Sequence, residues 1–262
     1  MDANQIQFED DLLIIEDVSR AIEENEFEPY VQPCFDLVAM RPMVGEVLAR
    51  WTLPEDGTLV PASAFIPTLE RTHTVCGLDW YIIDAMCEFL GEQLKTLVVP
   101  PVAFNISSQH VSDEHFAERL TATTDWRGVD PVFVSIEFSQ DLIAQDERLA
   151  QTLIPSLINA GYSVIVDNYC AGPEALAPLM RMGIVTIKVS AGLWRDSPIE
   201  DVRALASAAD ELGVALIAEG VETADELKML RHEGFLFAQG YHLARPMSLE
   251  NYVELCTSRA GQ

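Results

Sequence analysis

Positive charge is scarce in this sequence: 16 Lys and Arg stand against 42 Asp and Glu, for a formal net charge of -26. Such a surface repels a nucleic-acid backbone, which excludes long DNA or RNA as the main partner. A small phosphate ligand held by a metal or by a local cationic site stays open. The five cysteines, Cys34, Cys76, Cys87, Cys170 and Cys256, are scattered, odd in number and free of any C-x-x-C pair. That argues against a disulfide framework or a zinc site and for a reducing compartment. Long hydrophobic runs are missing too, the early stretch Leu12 to Ile15 being too short for a membrane span or a signal-peptide core. The expectation is a cytoplasmic protein without a membrane span. No strand candidate leads into G-x-G-x-x-G, so an open doubly wound sheet of the dinucleotide-binding kind lacks support.

What is present is enough to build a large core. Of 262 residues, 49% are hydrophobic, which suits one large domain or two small ones, and an α/β barrel is common at this size. The chain opens on an acidic amphipathic stretch in which Phe8, Leu12, Ile15 and Ile22 recur at helical spacing with Val18 nearby. It reads as a helix packed on the domain, or as a connector to a protein partner or a sensory domain. Residues 1–16 are assigned to this acidic helix or linker and 17–262 to the barrel domain.

Two strands come next, Tyr30 to Leu37 and the stretch Val44-Gly45-Glu46-Val47-Leu48-Ala49-Arg50-Trp51, and the short turn near Arg41-Pro42 pairs them as an antiparallel hairpin. Strand side chains alternate, so Glu46, Leu48 and Arg50 share one face. Charged groups on an otherwise apolar strand are costly to bury unless paired, which leaves a structural ion pair or a ligand-binding face. A Pro-rich segment and a helix from about Leu78 to Lys95 follow. From Pro101 onward, strand candidates at 102–105, 132–138, 163–167, 184–188, 214–219 and 236–239 alternate with helical stretches. Such alternation implies parallel strands with crossover helices. Six units plus the first two strands make eight, the number that closes a TIM-like (β/α)8 barrel with an antiparallel first strand.

Six of these strands end in polar residues: Asn105, Glu137, Asp167, Lys188, Glu219 and Gln239. With Glu46 they converge on the C-terminal mouth of a barrel, where active sites sit. Carboxylates and an amide oxygen without His or Cys suit a hard cation such as Mg²⁺ or Mn²⁺. Such an ion activates water and neutralises a phosphoryl oxygen, while Lys188 and Arg50 could hold phosphate oxygens or orient the nucleophile. The residues alone point to a metal-dependent phosphoesterase-like barrel.

The chain also resembles the EAL domain family, which hydrolyses the bacterial messenger cyclic di-GMP to linear pGpG. Glu46-Val47-Leu48-Ala49-Arg50 is similar to E-A-L-L-R, and Tyr30-Val31-Gln32-Pro33 to Y-x-Q-P. Asn105-Ile106-Ser107 is similar to N-x-S, Ala218-Glu219-Gly220-Val221-Glu222-Thr223 to A-E-G-V-E-T, and Gln239-Gly240-Tyr241 through Arg245-Pro246 to Q-G-Y-x-x-x-R-P. The match runs from about Asp17 to Cys256. It implies that Glu46, Asn105, Glu137 and Asp167 ligate a first ion, and that Asp167 bridges to a second ion bound also by Glu219. It further implies that Lys188 positions or deprotonates water. Gln32, Leu48 and Arg50 lie on the ligand side, and Gln239 and Glu222 shape the pocket.

Three departures fall on the second-ion loop. D-D-F-G-T-G becomes Asp167-Asn168-Tyr169-Cys170-Ala171-Gly172, E-[IL]-T-E ends in Gln140, and I-K-I-D ends in Ser190. An amide brings no charge, so the second ion should be weak or absent. The expectation is a domain that binds cyclic di-GMP with its phosphodiesterase activity weak or lost. A working Mg²⁺- or Mn²⁺-dependent enzyme and a protein-interaction module that has lost the nucleotide are the alternatives. A homodimer through the altered loop and a regulatory protein partner belong to the same expectation.

Overall fold

The computed structural model describes residues 14–97, 99–146 and 148–259. A helix over 14–23 (α1) comes first; the earlier half of the expected acidic helix, with Phe8 and Leu12, lies outside the described residues. Val18 and Ala21 are buried, and Ile14, Ile15 and Ile22 pack against the same core, so α1 lies on the barrel. Strands β1 (Phe27–Asp36) and β2 (Arg41–Thr52) then form the expected antiparallel hairpin. Its turn is built by Asp36, whose Oδ1 accepts the N–H groups of Val38 and Ala39 at 2.7 and 2.9 Å. A short strand β3 (Leu59–Pro61) pairs on β2, and helices α2 (Ile66–Arg71) and α3 (Val75–Gln93) follow it. The residues read from the sequence as a Pro-rich connection thus include a strand and a helix, the helix opening with Pro67 in its first turn, where a missing N–H costs nothing.

The parallel series follows: β4 (Val102–Asn105), α4 (Ser108–Val111), α5 (Phe116–Arg127), β5 (Val134–Ser139), α6 (Gln140–Gln145), α7 (Ile154–Asn159), β6 (Ser163–Tyr169), α8 (Leu176–Arg181), β7 (Thr186–Val189), α9 (Ala191–Asp196), α10 (Ile199–Leu212), β8 (Ala215–Ala218), α11 (Ala224–His232), β9 (Phe237–Ala238), β10 (Met247–Ser248) and α12 (Leu249–Arg259). Strand order runs β1-β9-β8-β7-β6-β5-β4-β2, and the β1–β2 pairing closes the ring at eight strands. Seven are parallel, and β1 is antiparallel to both of its neighbours. This is the TIM-like barrel with an antiparallel first strand. Among the described residues no helix is long and apolar enough to cross a membrane.

Alternation along the strands sorts the side chains into two sets. Val102, Phe104, Val134, Ile136, Val164, Val166 and Ile187 face the helices and form the large core. Cys34, Val44, Ala103, Ile165 and Ile217 make a second, smaller cluster inside the barrel, with Met43 and Phe237 against it. Two residues further along the same inward rows the apolar filling gives way to polar groups, which is where the mouth begins. Helix ends fix the return of each crossover: α5 and α10 stop at Gly128 and Gly213, both left-handed at φ +69°. A capping box of Thr223 and Glu226 starts α11 immediately after the Glu219 strand end.

Candidate functional site

Eight inward rows deliver one polar side chain each: Gln32, Glu46, Asn105, Glu137, Asp167, Lys188, Glu219 and Gln239. Lys188 is at the centre and almost fully buried. Its Nζ lies 2.8 Å from Glu46 Oε2, 3.0 Å from Glu137 Oε2, and 3.3 Å from both Asp167 Oδ1 and Glu219 Oε1. Glu46 collects two further donors, Asn105 Nδ2 at 2.8 Å and Gln239 Nε2 at 2.7 Å. Gln32, opposite Glu46 in the hairpin register, turns its amide to the carbonyl of Ala244 at 3.2 Å and so ties β1 to the loop before β10.

The electrostatics follow from that geometry. Burial raises the Glu46 carboxyl, but the Lys188 charge and three hydrogen bonds outweigh it and leave the group below its usual range. Glu137 has a single partner, so burial dominates and pushes it up to about 8. Glu219 is raised by burial to about 7. Burial disfavours the Lys188 ammonium, yet four carboxylates hold it well above an ordinary lysine. Lys188 is therefore a hydrogen-bond donor held in place rather than a free base.

Four carboxylates around one ammonium leave surplus negative charge, and the donor set is all oxygen. Asp167 Oδ1 is buried and close to Lys188, yet makes no hydrogen bond of good geometry. These features fit a hard divalent cation. Among the described residues no three acidic, His or Cys side chains form a preset cation cage, because the carboxylates are gathered on Lys188 instead.

Beside this ring lies a cavity of about 640 Å³ between the β2, β4 and β5 strand ends and helices α2, α3 and α6. Asn105, Glu137 and Asp167 line it on the barrel side, Leu48 on β2, and Leu78, Ile82 and Phe104 form its apolar wall. Asp79 also lines it, with its Oδ2 3.0 Å from buried His110 Nε2 and its carboxyl raised by burial. Ser107 Oγ is buried next to Asp79 without a geometric hydrogen bond of its own. Asp79 was missed in the sequence reading. Its signal was there: Val75, Asp79, Ile83 and Met86 share one helical face, so this acid sits on the buried stripe of α3.

Two expected residues stand apart from the ring. Arg50, four residues beyond Glu46, donates to the carbonyl of Ala49 and lies 5.7 Å over the Tyr30 ring. Glu222 has an exposed side chain 3.7 Å from Arg195, and its N–H donates to the Glu226 carboxylate.

The altered loop has a defined conformation. Asn168 takes φ +53° at the point where the β6–β7 register shifts, and Asn tolerates this left-handed backbone better than most residues. Gln140 Oε1 accepts the Cys170 N–H at 2.8 Å. Ser190 caps α9, its Oγ accepting from Leu193 N at 3.4 Å.

A family model described as "EAL domain" matches residues 15–246. The chain is 28% identical to the cyclic di-GMP phosphodiesterase PA2567 of Pseudomonas aeruginosa over 89% of its own length and 41% of that protein. It spans 29% to 63% of the length of five of the curated relatives it matches. Its fold is that of the Xanthomonas citri FimX EAL domain in complex with c-diGMP, at TM-score 0.83 and 18% identity over 95% of this chain and 98% of that one. The PaMucR phosphodiesterase in its c-di-GMP complex has the same fold, at TM-score 0.81 and 22% identity over 91% and 99% of the two chains. With a polar ring at the mouth of a barrel whose first strand is antiparallel, and a family match over most of its length, this chain belongs to the EAL domain family.

Proposed function

We propose that this chain binds cyclic di-GMP at the barrel mouth and hydrolyses it slowly or not at all. The observation that carries the reading is the oxygen ring of Glu46, Asn105, Glu137, Asp167 and Glu219, three of whose members (Asn105, Glu137 and Asp167) line the adjoining cavity of about 640 Å³, room enough for a nucleotide. One Mg²⁺ or Mn²⁺ would be held by Glu46, Asn105, Glu137 and Asp167; bound there, it would supply charge neutralisation on a phosphoryl oxygen and activation of water. Lys188 holds the carboxylates in register and presents its N–H groups to an incoming water. Gln239 and Gln32 brace Glu46 and the loop at 244, Leu48 gives the sugar or base an apolar contact, and Arg50 stands at the rim for a phosphate. The Asp79 carboxylate, an acceptor beside an apolar wall, suits the paired N–H donors on the edge of a guanine.

The weakness lies in the second ion. Asp167 and Glu219 would share it with Asn168, whose side chain is exposed and brings no charge. Curated relatives carry phosphodiesterase names, and the Gln140 bond to the Cys170 N–H keeps the loop braced, which supports a working enzyme as the second reading. A barrel domain that begins at residue 17, assembly as a homodimer, a regulatory protein partner and a cytoplasmic location complete the proposal.

The test is a chromatographic assay for linear pGpG with excess Mn²⁺, run beside a nucleotide titration. Binding with little or no product is expected. Rapid metal-dependent product favours the enzyme, and absence of both binding and product overturns the proposal.

A further inference from the structure

A second cavity, of about 310 Å³, lies behind the mouth between the loop 170–174 and helices α9 and α10. Its walls are apolar and partly aromatic: Val189, Leu193, Trp194, Val202, Leu205 and Phe235. The charged side chains on it are Glu174 and Asp201, both exposed at its edge, and among the described residues no basic side chain lines it. An apolar chamber of this size accepts a small aromatic body, and two carboxylates at the edge select a cationic head over an anionic one.

Its walls are fastened to the mouth. Val189 follows Lys188 directly on β7. Trp194 Nε1 donates to the carbonyl of Glu219 at 3.0 Å. The roof is the segment that continues from Asp167 and Asn168, pinned on its other side by Gln140. A ligand pressing on Trp194 and on residues 170–174 therefore touches the supports of Asp167 and Glu219.

We propose that this cavity is an effector site for a small aromatic amine, and that its occupancy changes nucleotide affinity at the mouth through Trp194 and the 168–174 loop. The transmission half rests on the nucleotide reading given above; the binding half does not.

Two probes of equal size and opposite charge test it, 2-phenylethylamine and 3-phenylpropionate, each titrated calorimetrically into the full chain. The amine is expected to bind saturably and about tenfold more tightly than the acid. Because the whole protein is acidic, variants assign the site. Glu174→Gln with Asp201→Asn, two exposed changes that leave the core intact, should weaken the amine about two- to fivefold. Leu205→Trp should fill the chamber and abolish binding. Amine affinity unchanged in the double variant, or equal binding of the acid, overturns the site. In the second half, cyclic di-GMP is titrated with and without saturating amine, and a shift of about fivefold or more is expected. An unchanged nucleotide affinity overturns transmission. Amine binding by a protein that takes up no nucleotide at all overturns the functional proposal and supports the cavity.

Discussion

Gln140 braces the loop that follows Asp167, its Oε1 accepting the Cys170 N–H at 2.8 Å. The bond needs an acceptor and no charge, so an amide serves it as a carboxylate would. Asn168 is different, because a ligand's charge is what a second ion would need there. Restoring the acid at the two positions should therefore have unequal effects. Asn168→Asp is expected to raise pGpG formation in Mn²⁺ by roughly 10²-fold, the scale of a single electrostatic group in catalysis. Gln140→Glu should change it by less than about threefold, and an equal gain from both would sink the distinction between bracing and charge.

Lys188 draws four carboxylates to one nitrogen. Replacing it by Met keeps the length of the side chain and leaves those acids, Glu137 buried and the other three half-buried, around an apolar tip. Removing one partner of a buried ionic group costs about 3–5 kcal/mol. Urea unfolding of Lys188→Met should show a loss of that size, and millimolar Mg²⁺ should recover part of it by binding only the folded state. A variant as stable as the parent would mean that the acids are solvated rather than held by Lys188.

Much of this site was readable in the chain because a strand has a period of two. Asn105, Glu137, Asp167, Lys188, Glu219 and Gln239 each follow an apolar run by the right step, and closure at eight strands brings them together. The short elements outside that rhythm were not readable: β3 and β10 have three residues or fewer, and α6 and α9 have six, too few for any period to show. Nor does spacing reveal that Gln32 spends its amide on a carbonyl 212 residues away. Nor does it show that Glu222, three residues from Glu219, has Arg195 3.7 Å away and donates its N–H to Glu226.

Gly240 occupies a close approach in the Gln239 loop, where a Cβ would meet the backbone N, C and O of Val221. Backbone on both sides cannot give way as a flexible side chain could. Gly240→Ala should therefore destabilise the fold by about 1–3 kcal/mol and displace Gln239 from Glu46. Gly128→Ala is the control, since its φ of +69° imposes strain but the space around it is open. There the cost should be near 1 kcal/mol, with nucleotide affinity unchanged. Thermal unfolding of the pair reads the first effect and nucleotide titration the second. A loss at 240 no larger than at 128 would show that the Val221 backbone gives way to the added methyl group.

Asp79 tests what the large cavity is for. Its carboxylate is half-buried beside an apolar wall, 3.0 Å from His110, and it is outside the ring that would hold an ion. If it reads a guanine edge, Asp79→Asn should lower cyclic di-GMP affinity by roughly tenfold to a hundredfold, the worth of a charge-assisted hydrogen bond. The amide swaps one acceptor for a donor where the base presents only donors. Because Asn keeps the shape of the side chain and a hydrogen bond to His110, thermal stability should move little by comparison. Mn²⁺ affinity measured without nucleotide should stay at the parent value, since Asp79 is no part of the oxygen ring. Unchanged nucleotide affinity would assign Asp79 to the buried His110 pair alone and place the base elsewhere on the mouth.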